Sequence, residues 1–194
     1  KSVDGGDSWT AINTGLTNLH ICTLAIDPKT PSTLYAGTWG GGVFKSDGGS
    51  DSWKPINIGL TNLIIYTLVI NPQTPLALYA GTWGGGVFKS IDRGASWTSI
   101  NTGLTTNQIH ALAIDPTSTA TLYAGSWGGG VLKSIDRGAT WTSINTGLTA
   151  TQIYTLVIDP RTPSTLYTGT YGHGVFKSVD EGDSWTPINI DLSS

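Results

Sequence analysis

The residues able to do acid–base chemistry in this chain recur on a schedule. Asp4, Asp92, Asp136 and Asp180 each stand in the pattern Ser-x-Asp-x-Gly-x-x-Trp. Such carboxylates would suit a hydrolase, because glycosidases generally flank the scissile bond with two of them. The surroundings argue for another role. The only glutamate, Glu181, lies inside the last of these turns. Asp27, Asp115 and Asp159 each precede a proline, and Asn71 takes the matching place in the second copy. An Asp carboxylate accepts backbone N–H groups of its own turn, and glycine takes a backbone shape that other residues resist. Turn building accounts for every one of them. His20, His110 and His173 fall at three different places in the pattern and show no metal-ligand spacing. No Ser-His-Asp grouping emerges. The expectation is a chain with no catalytic residue, no metal and no cofactor.

Aromatic residues keep the same schedule. "GTWGGGVFKS" occupies residues 37–46, returns unchanged at 81–90, and comes back as "GSWGGGVLKS" at 125–134 and "GTYGHGVFKS" at 169–178. The glycines fit a tight turn with positive φ. The aromatics Trp39, Trp83, Trp127 and Tyr171 have two readings. They pack on a neighbouring repeat, or they are exposed platforms on which sugar rings stack beside Thr and Asn side chains. A second matching set, Cys22, Tyr66, His110 and Tyr154, varies where the scaffold does not, as do His20, Ile64, Gln108 and Gln152 just before it. That variation means relaxed constraint or contacts specific to each repeat.

Stepping outward from these residues gives the elements that hold them. Trp39, Trp83, Trp127 and Tyr171 are spaced by 44 residues, and so are Trp9, Trp53, Trp97, Trp141 and Trp185. A fixed period in this range marks a repeat architecture. In the second unit "IIYTLVIN", "LALYAGTW", "GVFKS" and "SWTSINT" are β-branched and aromatic runs separated by "PQTP", "GGG" and "IDRGA". Four short antiparallel strands per repeat mark a propeller blade. One blade cannot bury both its faces, so neighbours must stack. The predicted fold is an all-β propeller of four blades, about 15–58, 59–102, 103–146 and 147–190, with an extra outer strand within residues 1–14. Cys22, Tyr66, His110 and Tyr154 then begin innermost strands at the mouth of a central channel.

The Ser-x-Asp-x-Gly-x-x-Trp turn resembles the Asp-box, or BNR, repeat of sialidase-like, xyloglucanase-like and sortilin-like proteins. The second copy, "SDGGSDSW" from Ser46, departs from it, with Asp47 one place early. The resemblance covers the whole chain and implies a structural role for Asp4, Asp92, Asp136 and Asp180, since in those families the box closes an outer hairpin away from the active site. A sialidase-like site would also need three converging arginines. Arg93 and Arg137 are equivalent turn positions and Arg161 lies in another turn, so that cluster is missing.

The outer strand occurs five times and the other three strands four times. The chain is therefore a segment of a larger ring, or it associates with itself, or it forms a lone four-bladed ring with one terminal strand displaced. A net charge of −3 with ten dispersed Lys and Arg residues speaks against nucleic acid. No run of 18 apolar residues suggests membrane insertion. The single cysteine rules out an intrachain disulfide. With 12% charged residues and much Thr, Ser, Asn and Gly, the expected role is an extracellular or cell-surface module binding glycan or protein. The alternatives are the propeller portion of a glycoside hydrolase whose catalytic residues lie elsewhere, and a structural subunit of a surface assembly.

Overall fold

The computed structural model describes residues 1–48 and 52–189. These form four antiparallel four-stranded sheets, each ordered as the chain runs. Blade 1 comprises β1 (Ile21–Ile26), β2 (Leu34–Thr38), β3 (Gly42–Ser46) and β4 (Lys54–Pro55). Blade 2 comprises β5 (Ile65–Ile70), β6 (Leu78–Thr82), β7 (Val87–Ser90) and β8 (Thr98–Ser99). Blade 3 comprises β9 (Ile109–Ile114), β10 (Leu122–Ser126), β11 (Gly130–Ser134) and β12 (Thr142–Ser143). Blade 4 comprises β13 (Ile153–Ile158), β14 (Leu166–Thr170), β15 (Gly174–Ser178) and β16 (Thr186–Pro187). The predicted strands are present, with the fourth of each blade cut to two residues.

The cores lie between blades. Tyr35 and Val43 of blade 1 pack with Ile65, Leu68, Leu78 and Phe88 of blade 2. Tyr79 and Val87 of blade 2 meet Ile109, Leu112 and Leu122 of blade 3 in the same way, and Tyr123 and Val131 meet Ile153, Leu156 and Leu166 of blade 4. First strands carry the contact, β1 against β5, β5 against β9 and β9 against β13. At each junction an isoleucine is pressed onto a glycine. A Cβ on Gly37 would stand 2.7 Å from Ile65 Cγ2, and one on Gly81 2.7 Å from Ile109 Cγ2. Gly125 receives Ile153 likewise.

Hydrogen bonds complete each junction. The N–H groups of Gly40 and Gly42 both donate to Leu63 O, those of Gly84 and Gly86 to Asn107 O, and those of Gly128 and Gly130 to Thr151 O. At the outer end the Trp97 indole donates to Ile56 O of the preceding blade at 2.8 Å, as Trp141 does to Ile100 O and Trp185 to Ile144 O.

The Ser-x-Asp turns work as local braces. Asp92 Oδ1 accepts from Ser96 N at 2.9 Å and from the Ser90 hydroxyl at 2.7 Å, while Ser90 Oγ accepts from Gly94 N. Asp136 and Asp180 repeat this pattern. Ser and Thr hydroxyls and turn N–H groups hold Asp92, Asp136 and Asp180 down to about 2, and Asp4 lower still. These carboxylates lie at the surface. The centre of the irregular second copy falls outside the described residues, and its Asp47 pairs with Lys45 at 3.0 Å.

Two expectations change. Residues 9–14 form no strand: Thr14 makes one parallel bridge to Ser52, and Lys1 and Thr10 exchange backbone bonds. A fourth strand pairs with the third strand of its own blade, and among the described residues only Lys1 offers Thr10 such pairing, in the register of Lys89 with Thr98. The segment instead lies on blade 1, where Trp53 donates to Ile12 O and Thr14 O. Trp9 is 76% exposed while Trp53, Trp97, Trp141 and Trp185 are buried, and among the described residues no blade covers it. The lone closed ring is also ruled out. Leu24 on β1 is 67% exposed, whereas its counterparts Leu68, Leu112 and Leu156 are buried. The four blades form an open arc.

Gly81→Ala should destabilise by about 1–3 kcal/mol, as overpacking generally does, through its collision with Ile109 and Thr67. Thermal melting checks this, and an unchanged midpoint contradicts the junction described. The acid response follows from the depressed carboxylates. Their stabilisation is complete above the ordinary value of 3.8 and is lost as pH falls through about 2. The melting temperature should drop between pH 4 and 2, and drop less steeply in an Asp92→Asn/Asp136→Asn variant. Equal slopes would contradict the bracing role.

Candidate functional site

The turn between the second and third strands of each blade is built to present an aromatic. In blade 1 the Trp39 N–H donates to His20 O at 2.9 Å, fixing the residue above the start of β1. Trp39 also bridges to Ile64 of the next blade, as Trp83 does to Gln108 and Trp127 to Gln152. Below the turn Asn57 accepts from Val43 N at 2.8 Å and donates to Gly41 O at 2.9 Å. Asn101, Asn145 and Asn189 repeat this clasp. Gly42 is needed twice over: its φ is +79°, and a Cβ there would collide with the Asn57 amide. In the last copy the middle glycine is replaced by His173, whose Nδ1 lies 3.0 Å from Tyr171 O. Asn18 and Asn62 press on Gly41 and Gly85. The matching place in blade 4 is the small Ala150, which leaves room for a side chain.

The two residue sets distinguished in the sequence come together as one belt. Trp39 packs edge-on to Tyr66 at 5.4 Å, and Tyr66 meets Trp83 at 5.4 Å and stacks on His110 at 4.3 Å. His110 contacts Trp83, Trp127 and Tyr154. Tyr171 closes the series against Trp127 and Tyr154, and His20 opens it by stacking on Trp39 at 5.5 Å. Eight rings thus run in contact across all four blades. Cys22 occupies the blade 1 position of the inner row and adds no ring; burial raises its thiol pKa. The aromatics are neither core nor isolated platforms. Trp39 is 41% and Tyr171 58% exposed, with Trp83 and Trp127 half-buried between them.

Charge is segregated along the blades. The belt lies at the end where first strands begin and second strands turn into third. Every described Asp, Glu and Arg lies instead in or beside a turn at the other end, or in the matching turn before Trp9. Asp27 and Asp115 accept backbone N–H groups within their own turns there, as Asn71 does. Asp4, Asp92, Asp136 and Asp180 therefore stay far from the belt along the strands. The belt is bordered by neutral groups, including Asn18, Asn62, Gln108 and Gln152. Among the described residues no three His, Cys, Asp or Glu side chains are grouped to hold a metal ion.

The sequence did not disclose the Asn clasp or the participation of His20. The 44-residue recurrence of Ile-Asn at 56, 100, 144 and 188 was the available signal for the first. Nothing in one repeat signals the second.

No protein-family model and no curated protein matches the chain. Solved structures do. An ancestral GH74 enzyme superposes with a TM-score of 0.77 at 21% identity, covering 94% of this chain and 26% of that one. The GH74 xyloglucanase from Xanthomonas campestris gives 0.74 at 24% identity, covering 93% and 32%. The extracellular domain of a hybrid two-component system from B. thetaiotaomicron gives 0.71 at 17% identity, covering 92% and 26%. These likenesses establish the propeller fold. The chain spans roughly a quarter to a third of each of those proteins.

Burial in the belt lowers the His110 pKa from its ordinary 6.5. The unfolded chain then takes up this proton before the folded one, so His110 costs stability as pH falls from 6.5 through its folded value. NMR titration of the His110 ring should give a midpoint below 6.5. A midpoint at or above that value would contradict its burial between Tyr66 and Trp127.

Proposed function

We propose that the chain is a non-enzymatic, extracellular binding module that takes neutral glycan along the aromatic belt. The observation that carries this reading is the belt itself, eight rings in contact at the uncharged end of the blades. Sugar rings present apolar C–H faces that stack on aromatics and hydroxyls that pair with neutral amides. Gln108 and Gln152, whose backbones bridge to Trp83 and Trp127, carry such amides. One stacked pair adds roughly 0.5–1.5 kcal/mol, going by aromatic pairs, so a single ring binds weakly. Several rings engaging one polymer gain through effective concentration. The absence of Asp and Glu from the belt end supports a non-catalytic role for the described residues, because glycosidases need paired carboxylates at the bond. The Ser-x-Asp turns are read as Asp-boxes with a bracing role. An extracellular setting is supported by the extracellular domain of a two-component system among the structural neighbours.

One observation favours a second reading. The chain covers 26% and 32% of two GH74 enzymes, one of them a xyloglucanase. It would then be the propeller portion of a glycoside hydrolase whose catalytic carboxylates lie outside these residues, with the belt holding the polysaccharide.

Affinity electrophoresis in gels containing xyloglucan, mannan or mixed-linkage β-glucan tests the proposal, with anionic alginate as comparison. At least one neutral polymer should retard the chain and release no reducing ends on incubation with it. The Trp39→Ala/Trp83→Ala/Trp127→Ala variant should lose that retardation while keeping cooperative melting. Tyr171→Ala, at an exposed end of the belt, should weaken it without loss of fold. Retardation unaffected by either variant, or confined to alginate, would refute the belt as a neutral-glycan site.

A further inference from the structure

The three junctions inside the chain specify what a fourth would look like, and each half of that fourth junction is present and, among the described residues, unpartnered. On blade 1 the isoleucine matching Ile65, Ile109 and Ile153 is Ile21, which is 37% exposed where the others are fully buried. Leu24 and Ile26 beside it are 67% and 59% exposed. With Trp9, Ile12 and Leu34 they line an apolar groove of 530 Å³. On blade 4 the matching socket is Gly169. A Cβ there would meet only Thr155 of its own blade, whereas Gly37, Gly81 and Gly125 each meet the next blade's isoleucine.

The hydrogen-bonding groups show the same vacancy. Gly172 and Gly174 have the positive φ of their counterparts, 75° and 74°. Their N–H groups match the pairs that clasp Leu63 O, Asn107 O and Thr151 O. The carbonyl at that place ahead of blade 1 is Leu19 O, which takes a bond from Ile21 N in its own loop. Val157 on blade 4, matching Ala25, Val69 and Ala113 that pack toward the following blade, is 53% exposed. Tyr167 is half-buried where Tyr35, Tyr79 and Tyr123 are fully buried.

We infer that two copies of the chain close head to tail, blade 4 of each against blade 1 of the other, into one ring of eight blades. The two faces differ, so one face cannot serve both sides of a junction, and a twofold axis satisfies both junctions at once. Eight blades lies within the usual range of roughly four to eight. The amino-terminal segment supports the same register. Residues 1–13 read KSVDGGDSWTAIN and residues 177–189 read KSVDEGDSWTPIN, differing only at Gly5/Glu181 and Ala11/Pro187. Residues 1–13 already sit against blade 1 as an outer strand of a preceding blade would. In the closed pair the outer seat of blade 4 is claimed by two nearly identical segments, and one of them yields.

Sedimentation equilibrium of the chain as it stands tests this. The expected mass is twice the 20.4 kDa of one copy. Leu24→Lys and Val157→Lys alter side chains already exposed in the single copy, so each should remain folded by circular dichroism and sediment at one copy's mass. Mixing the two variants should restore pairs at raised concentration, since blade 4 of the first still meets an intact blade 1 of the second. A parent chain that stays single at all concentrations, or grows into open polymers, overturns the closed pair. Pairing sensitive to Leu24→Lys but indifferent to Val157→Lys means face-to-face association and overturns the head-to-tail arrangement.

Discussion

Each blade holds its shape by leaning on the next. An isoleucine of one first strand rests on the bare backbone of a glycine in the preceding blade's second strand, and two glycine N–H groups grip one carbonyl beside it. Remove that contact and the cores between blades are lost, because Tyr35, Val43, Ile65 and Leu68 belong to a junction between sheets. The approach is possible only where no Cβ intervenes, which is why Gly37, Gly81 and Gly125 take the fourth place of β2, β6 and β10. Fully burying one Ile or Leu contributes about 1.5–3 kcal/mol, so three repeated junctions carry much of the molecule's stability.

The same contact fixes the candidate site. The turn that grips the next blade also carries Trp39, Trp83 or Trp127, so junction geometry sets the distance from each tryptophan to Tyr66, His110 or Tyr154. The belt is a consequence of blade stacking and is held before any ligand arrives. Preorganised surfaces bind with less ordering cost. The opposite end of the blades collects the carboxylates and arginines, which there build turns. A surface that is aromatic and neutral at one end and charged at the other is thereby drawn from a single repeat.

The period and the strands were legible in the sequence because they depend on residues close in the chain. The alternation of β-branched residues in "IYTLVI" fixes a strand wherever it stands. What was illegible depends on neighbours in space. Residues 9–14 have the composition of an outer strand, yet they form none, since among the described residues no third strand lies beside them to pair with. Trp9 and Trp97 both stand in Ser-Trp-Thr-x-Ile-Asn and differ in burial because, among the described residues, only Trp97 has a blade before its own to pack on. The belt was split into two sets by sequence, one at the turn and one on the inner strand. They merge because strand register places both at the same end of the sheet, and His20 joins them only through Trp39.

Indole N–H resonances test the central claim most directly, because they separate the two classes of tryptophan in one spectrum. On titration with a neutral oligosaccharide cut from whichever polymer retards the chain, the signals of Trp39, Trp83 and Trp127 should shift. Those of Trp53, Trp97, Trp141 and Trp185, whose indoles are tied to backbone carbonyls between blades, should stay in place. Shifts confined to the second group, or spread equally over both, would contradict a belt that binds ligand on a scaffold fixed by its junctions.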